Sequence, residues 1–324
     1  MKAIIPVAGL GSRLRPHTYT SPKVLLNVAG KPILGHILDK ILSEGVTSAT
    51  IIVGYMGEMV EDYVRKNYTF DVKFIEQKEP QGLGHAIMLA KEDLGDEPLL
   101  IILGDTIFDV DLRPVLIGKV SSIGVKRVDD PRRFGVVELN GLSISKLIEK
   151  PEFPTTNLAI VGLYFIKQPR VLSECLDELV TKNERNKGEY QLTDALQKMI
   201  DRGEKFTTFN VDGWLDCGKP ETLLETNRHL LDKKSLEREL PGVVINPPVH
   251  IAPSAQIRNS VIGPFATIAE GAIVKDSIIT NSIVGDNALV EQAMLNESII
   301  GNNSVVRGNW RKVNIGANSE LYLG

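Results

Sequence analysis

Cysteine is scarce in this chain: Cys175 and Cys217 are the whole complement. Two thiols build no disulfide framework, which excludes a disulfide-stapled secreted scaffold and fits a reducing, cytoplasmic setting. Surplus charge is lacking too. A formal net charge of −4 over 324 residues offers no electrostatic lure to nucleic acid or an acidic membrane, so neither is expected as a partner. No apolar run approaches the roughly 20 residues that span a bilayer. Lys2 followed by AIIPVAG has the outline of a signal peptide, but the apolar part is short and runs into GSRLR, so it reads as a first strand. Acidic residues are missing from one region in particular. The first is Asp39, after Lys2, Arg13, Arg15, Lys23 and Lys31, the imbalance a local anion site requires.

With 43% hydrophobic and 24% charged residues, the composition is that of a soluble globular protein with a full core. To about residue 232, short Ile- and Val-rich stretches (KAIIPVA, SATIIVGY, DVKFIEQ, PLLIILGD) alternate with helical ones (PILGHILDKILSEG, GEMVEDYVRKN, GLGHAIMLAKEDLG). This alternation predicts an α/β domain, a Rossmann-like, mostly parallel mixed sheet with helices on both faces. Ligands bind such sheets at the carboxyl ends of the strands.

The texture changes after LLDKKSLERELPGVVINPP. Aliphatic residues then recur every five or six positions (Ile251, Ile257, Ile262, Ile268, Val274, Ile279, Val284, Val290, Leu295, Ile300, Val306). IGPFAT, VGDNAL, IGNNSV and IGANSE share one template. This is a hexapeptide repeat, and it predicts a left-handed parallel β-helix whose aliphatic residues stack coil on coil. The expected organisation is a catalytic domain at 1–232, a linker helix and Pro-rich joint at 233–248, and the β-helix at 249–324. Its open end exposes unpaired backbone and apolar rungs unless capped, so the tail is expected to assemble a homo-oligomer.

GLGSRLRP follows the first strand. A dinucleotide fingerprint needs a third glycine where Leu14 stands, and no Gly-Lys-Ser/Thr of a P-loop is present. Gly9 and Gly11 can let backbone N–H groups curl around an anion. Arg13 can then grip a phosphate with two parallel hydrogen bonds, while Lys23 supplies a compact charge. At the end of the fourth strand, in ILGDTIF, Asp105 is placed for a Mg²⁺ ion accompanying a triphosphate. The nearby pair Asp109 and Asp111 reads as loop acids.

GLGSRLRPHTYTSPKVLLNVAGKP resembles the G-x-G-x-R-L-x-P-x-T-x-x-x-P-K-x-L-x-P-V-x-x-K-P signature of the sugar-1-phosphate nucleotidylyltransferases, with Asn27 in place of a framework proline. The resemblance covers residues 1 to about 232, and repeat tails occur in several members of that family. It implies transfer of a nucleotidyl group from a nucleoside triphosphate to a sugar 1-phosphate with release of pyrophosphate. Arg13, Lys23 and Lys150 would be the catalytic cations, and Asp105 with Asp216 of GWLDCGKPET the Mg²⁺ ligands. Ala8, Gly9, Gly11, Gln77 and Gly82 would bind the nucleotide, the last two from EQKEPQGLGHA, which resembles a pyrimidine-recognition stretch. Gly135, Glu149, Val161 and Glu189 would hold the sugar phosphate. Lys187 stands where thymidylyltransferases usually carry an arginine, and the exchange loses bidentate geometry. Ala8 matches the uridylyl branch, while the tail and first loop match the thymidylyl branch. The expected substrates are dTTP and glucose 1-phosphate, with UTP as the alternative. A second, acyl-transferring activity would want a base within the coils, and His250 at their entrance is the one histidine near them. A catalytically silent homologue would have lost part of the constellation, which here is complete.

Overall fold

A computed structural model describes residues 1–233 and 239–308. The chain divides into two compact units, one of Met1–Leu26 with Lys31–Thr226, the other of Asn27–Gly30 with the chain from Asn227 onward.

The first unit is built on a nine-stranded sheet. In chain order its strands are β1 (Lys2–Pro6), β2 (Ser48–Val53), β3 (Asp71–Glu76), β4 (Leu99–Ile102), β5 (Ser121–Arg127), β6 (Val136–Asn140), β7 (Ser143–Ile148), β8 (Leu158–Ile166) and β9 (Phe206–Asn210). Their spatial order is β3-β2-β1-β4-β8-β5-β9-β7-β6. The first four run parallel, each step bridged by a helix-bearing segment: α1 (Ile33–Ser43), α2 (Gly57–Asn67) and α3 (Leu83–Leu89). Beyond β4 the sheet is mixed, with β9 parallel to β5 and only β8 and β7 running against the other strands. β8 is antiparallel to both β4 and β5, and β7 to both β9 and β6. For β6 and β7 the reason is connection length: Gly141 and Leu142 alone separate them, and a hairpin that short cannot make a parallel crossover.

Strand alternation splits the buried aliphatics between two faces. Ile4, Ile52, Leu99 and Ile101 share one core with α3, with α4 (Pro169–Thr181), through Leu172 and Leu176, and with α5 (Leu192–Asp201), through Leu196 and Met199. Ile5, Ile51 and Leu100, fully buried as well, point to the opposite side. The helix read from GLGHAIMLAKEDLG stops at Leu89, and a 3-10 turn takes over at Lys91–Asp93. Asp93 is drawn onto β1 and β2, accepting hydrogen bonds from Lys2 Nζ (2.6 Å) and Thr50 Oγ1 (2.7 Å). Helix α6 (Pro220–Asp232) ends the run.

In the second unit three parallel sheets of four short strands each stack their rungs. Ile245, Ile262, Ile279 and Leu295 form one ladder. Ile251, Ile268, Val284 and Ile300 form the second, and Ile257, Val274, Val290 and Val306 the third. All of them belong to one apolar core, the arrangement of a parallel β-helix. The Pro-rich joint, read as linker, already supplies the first rung at Val243–Ile245. It lacks the glycine template of the repeats, which hid it. IGANSE lies outside the described residues. Asn227 is fully buried and ties this unit together. Its Oδ1 accepts from Ala29 N (2.8 Å) and Thr267 Oγ1 (2.7 Å), and its Nδ2 donates to Phe265 O (3.1 Å). His250 is covered by Gly30: a Cβ added there would lie 2.2 Å from the imidazole.

Candidate active site

The site grows from the turn after β1. Gly11 sits in the left-handed region at φ +60°, and a Cβ added to it would fall 2.9 Å from Lys23 Cβ, so glycine lets the two cation-bearing loops close on each other. The 3-10 turn Ser12–Leu14 is pinned by Leu14, fully buried, which leaves Arg13 free to face the cavity. At Gly9 an added Cβ would meet nothing within 4 Å; packing does not demand this glycine, and open space lies before its backbone.

Asp105 follows β4, and its neighbour Gly104 donates from its backbone N to Pro6 O (3.2 Å). Lys23, 8% exposed, directs Nζ to Asp105 Oδ2 at 2.7 Å. Asp216 arrives from a remote part of the chain. It ends the strand Gly213–Asp216, which pairs antiparallel with Thr106–Asp109 and sets Asp216 opposite Thr106. The next residue, Cys217, donates its backbone N–H to Asp105 O (3.1 Å). Burial pushes the Asp216 carboxyl above the usual carboxylate range, the Asp105 charge adds to this, and Lys23 and Arg13 oppose it. Gly218 leaves room for both neighbours, since a Cβ there would lie 2.9 Å from Arg13 Nη2 and from Asp216 Oδ1. Two carboxylates brought together, with the ionisation of Asp216 opposed by the Asp105 charge, form a donor set that a hard divalent cation would relieve. An ion such as Mg²⁺ takes one or two carboxylates and fills its shell with phosphate oxygens and water, so the residues fit it.

Two cavities meet at this centre. One, about 410 Å³, is walled by Ala8, Gly9, Gly11, Lys23, Gln77 and Gly82. The other, about 340 Å³, is walled by Gly135, Glu149, Lys150, Val161 and Asp216. Arg13, Asp105 and Glu189 line both. In the second cavity Glu149 accepts from Thr193 Oγ1 (2.7 Å) and pairs with Lys150 Nζ (3.0 Å). Glu189 accepts from Gln191 Nε2 (3.2 Å). Lys187 lines neither cavity; its Nζ donates to Lys150 O (2.6 Å), one step behind the wall. Asp109 and Asp111 lie outside both cavities. Asp109 ends a strand rather than lying in a loop, and Asp111 is held by Arg113 through Nε (2.9 Å) and Nη2 (3.0 Å).

Among the wall residues that escaped the sequence reading are Tyr164, Thr193 and Trp214. Tyr164 is buried on β8, and burial with the Glu149 and Asp105 charges drives its phenol pKa far up, so it stays a neutral donor. Trp214 packs edge-on against Phe134 (centroids 4.9 Å apart), and its buried Nε1 has no hydrogen-bond partner. Its position two residues before Asp216, on the same face of one strand, is the signal that could have found it.

The chain belongs to the Nucleotidyl transferase family, whose sequence profile matches residues 2–233. It is 31% identical over 316 residues to a glucose-1-phosphate thymidylyltransferase of Streptomyces griseus, covering 88% of this chain and 87% of that one. It is 42% identical over 236 residues to the bifunctional protein GlmU of Methanocaldococcus jannaschii, covering 72% of this chain and 55% of the relative, so it spans about half of that protein's length. Its fold matches a solved UDP-glucose pyrophosphorylase in complex with UDP-glucose at a TM-score of 0.64 and 26% identity, over 72% of this chain and 99% of that one. The particular class within the family is that of the sugar-1-phosphate nucleotidyltransferases, and the protein is an enzyme of that class.

Proposed function

We propose that the protein makes dTDP-glucose from dTTP and glucose 1-phosphate. The observation that carries this reading is the double cavity, with Arg13, Asp105 and Glu189 on the shared wall. A triphosphate in the first chamber and a sugar phosphate in the second would meet there. An oxygen of the sugar 1-phosphate attacks the α-phosphorus in line, the new P–O bond forms as the α–β bond breaks, and pyrophosphate leaves. No covalent nucleophile is required, because positioning and charge stabilisation suffice for such a transfer. Arg13 faces the leaving pyrophosphate, and Lys23 and Lys150 neutralise the reacting phosphates. Glu149 and Glu189 accept hydrogen bonds from sugar hydroxyls, Gly135 and Val161 shape the chamber floor, and Lys187 steadies Lys150 through its carbonyl. Asp105 and Asp216 would hold Mg²⁺, which when bound supplies charge stabilisation for the phosphate oxygens.

Uridylyl transfer to glucose 1-phosphate is the second reading. It is favoured by Ala8 and by IPVAG, NLAIVG, QLTDA and DCG, stretches that resemble the uridylyl branch of the family, and the similarity to the UDP-glucose-bound structure supports it. The similarity to the thymidylyltransferase, which covers 88% of this chain and so reaches into the tail, supports dTTP. Residues 1–232 then form the catalytic domain of a cytoplasmic enzyme, and the repeat region from 249, described as far as 308, a left-handed β-helix that assembles copies. An outward ladder of Val244, Val261, Ile278 and Met294 along one sheet face, with Met294 77% exposed, supports assembly. The test is pyrophosphate release with glucose 1-phosphate and Mg²⁺, comparing dTTP, UTP, CTP, ATP and GTP. A dTTP preference is expected; a UTP preference would select the second reading, and a purine preference would overturn the base site.

A further inference from the structure

Gln77 is positioned by its backbone and constrained through its side chain. Its N–H donates to Val53 O at 2.8 Å, and the side chain is 8% exposed at the wall of the first cavity. The amide nitrogen Nε2 lies 3.2 Å from Gly82 O and 3.1 Å from His85 Nδ1. Gly82 O can only accept, so the amide atom facing it has to be the NH₂ group. The second amide hydrogen then points at His85 Nδ1, which must accept it. His85 is therefore neutral, with its proton on Nε2, and both Gln77 hydrogens are engaged. Oε1 is the atom left to meet a base.

We infer that His85 is a positioning residue which, through Gln77, presents an acceptor to the base and so selects pyrimidines carrying N3–H. This rests on the reading of Gln77 as the base contact. Uracil and thymine donate N3–H to Oε1, whereas cytosine N3 and adenine N1 set a lone pair against it. Protonated His85 would turn a donor toward the Gln77 NH₂; rotating the amide would relieve that clash only by setting Oε1 against Gly82 O, so acid loosens the amide and weakens the preference. His85 is partly buried on α3. Burial lowers its pKa, the carboxylate of Glu79 raises it and the guanidinium of Arg185 lowers it. Arg185 and Glu79 are themselves joined through Gln81, whose Oε1 accepts from Arg185 Nη2 (2.9 Å) while its Nε2 donates to Glu79 (2.9 Å). Acid should therefore act below the ordinary imidazole range, near pH 6.5.

The experiment measures kcat/KM for UTP and CTP from pH 5 to 8 in the wild type, His85→Leu, His85→Asn and Gln77→Ala. UTP and CTP differ only on the edge in question. Loss of one well-placed acceptor contact corresponds to about a tenfold fall in the UTP-to-CTP ratio. His85→Leu is expected to show that fall at every pH, and the wild type only toward pH 5. His85→Asn restores an acceptor that cannot be protonated, so its ratio is expected to be high and flat with pH. A His85→Leu enzyme with the wild-type ratio, or the same acid fall in His85→Asn as in the wild type, overturns the role of His85. If Gln77→Ala keeps the wild-type ratio, the base is read elsewhere and the base-site reading fails as well.

Discussion

Replacing Lys23 by Met tests the centre of the site through both stability and turnover. The ammonium lies 2.7 Å from Asp105 Oδ2, with the side chains 9% and 39% exposed respectively. At an effective dielectric of about 20 the gross attraction at that distance is about 6 kcal/mol. Desolvation of the lysine offsets part of it, and the exposed side of Asp105 screens another part, so the net cost of breaking the pair is about 2 kcal/mol. In substrate-free protein this corresponds to a fall in Tm of about 4–8 °C. Asp105→Asn alone is expected to cost less, since the amide still meets the ammonium. The double variant should fall short of the sum of the single effects by about 1 kcal/mol or more, as for any two groups in direct contact. Urea melts of the four proteins give the cycle, and pyrophosphate release gives turnover. All three variants are expected to lose at least about a hundredfold in kcat, the scale for removing one stabiliser of transition-state charge. Strict additivity in the melts would refute the pairing. Near-wild-type turnover of Lys23→Met would remove Lys23 from the chemistry.

Two further outcomes follow from neighbouring groups. Asp216 has its carboxyl pKa raised by burial and by the Asp105 charge, so the folded protein holds that proton more tightly than the unfolded chain. The stability this contributes is present at low pH and lost as pH rises through the raised value. Asp216→Asn, neutral throughout, should thus melt above the wild type at pH 7 and level with it near pH 3, while losing activity; a lower Tm at pH 7 would contradict the repulsion. In the β-helix unit, Asn227→Ala strands Ala29 N, Thr267 Oγ1 and Phe265 O. At about 1–3 kcal/mol per unsatisfied buried group this should cost at least about 3 kcal/mol, read as lost hydrogen-exchange protection of the coils; unchanged protection would show that water or repacking satisfies them.

Local sequence determined the elements whose forces are local. The aliphatic steps from Ile251 to Val306 fixed three stacked ladders, because each rung repeats one residue's environment on the next coil. The glycines and cations of GLGSRLRP marked one wall of the first cavity, because left-handed backbone at Gly11 and a guanidinium two residues later are properties of one turn. The pairing of distant strands was decided only by the tertiary structure. No spacing law links Asp105 to Asp216, and it is the antiparallel ribbon of Thr106–Asp109 with Gly213–Asp216 that sets two like charges face to face. The same pairing carries Trp214 into the wall of the second cavity, and the α3 turn that follows Gly82 brings His85 onto Gln77. Periodicity reports which way a side chain points along its own element. What it meets there depends on long-range packing, which closes a burial and charge balance that no local window contains.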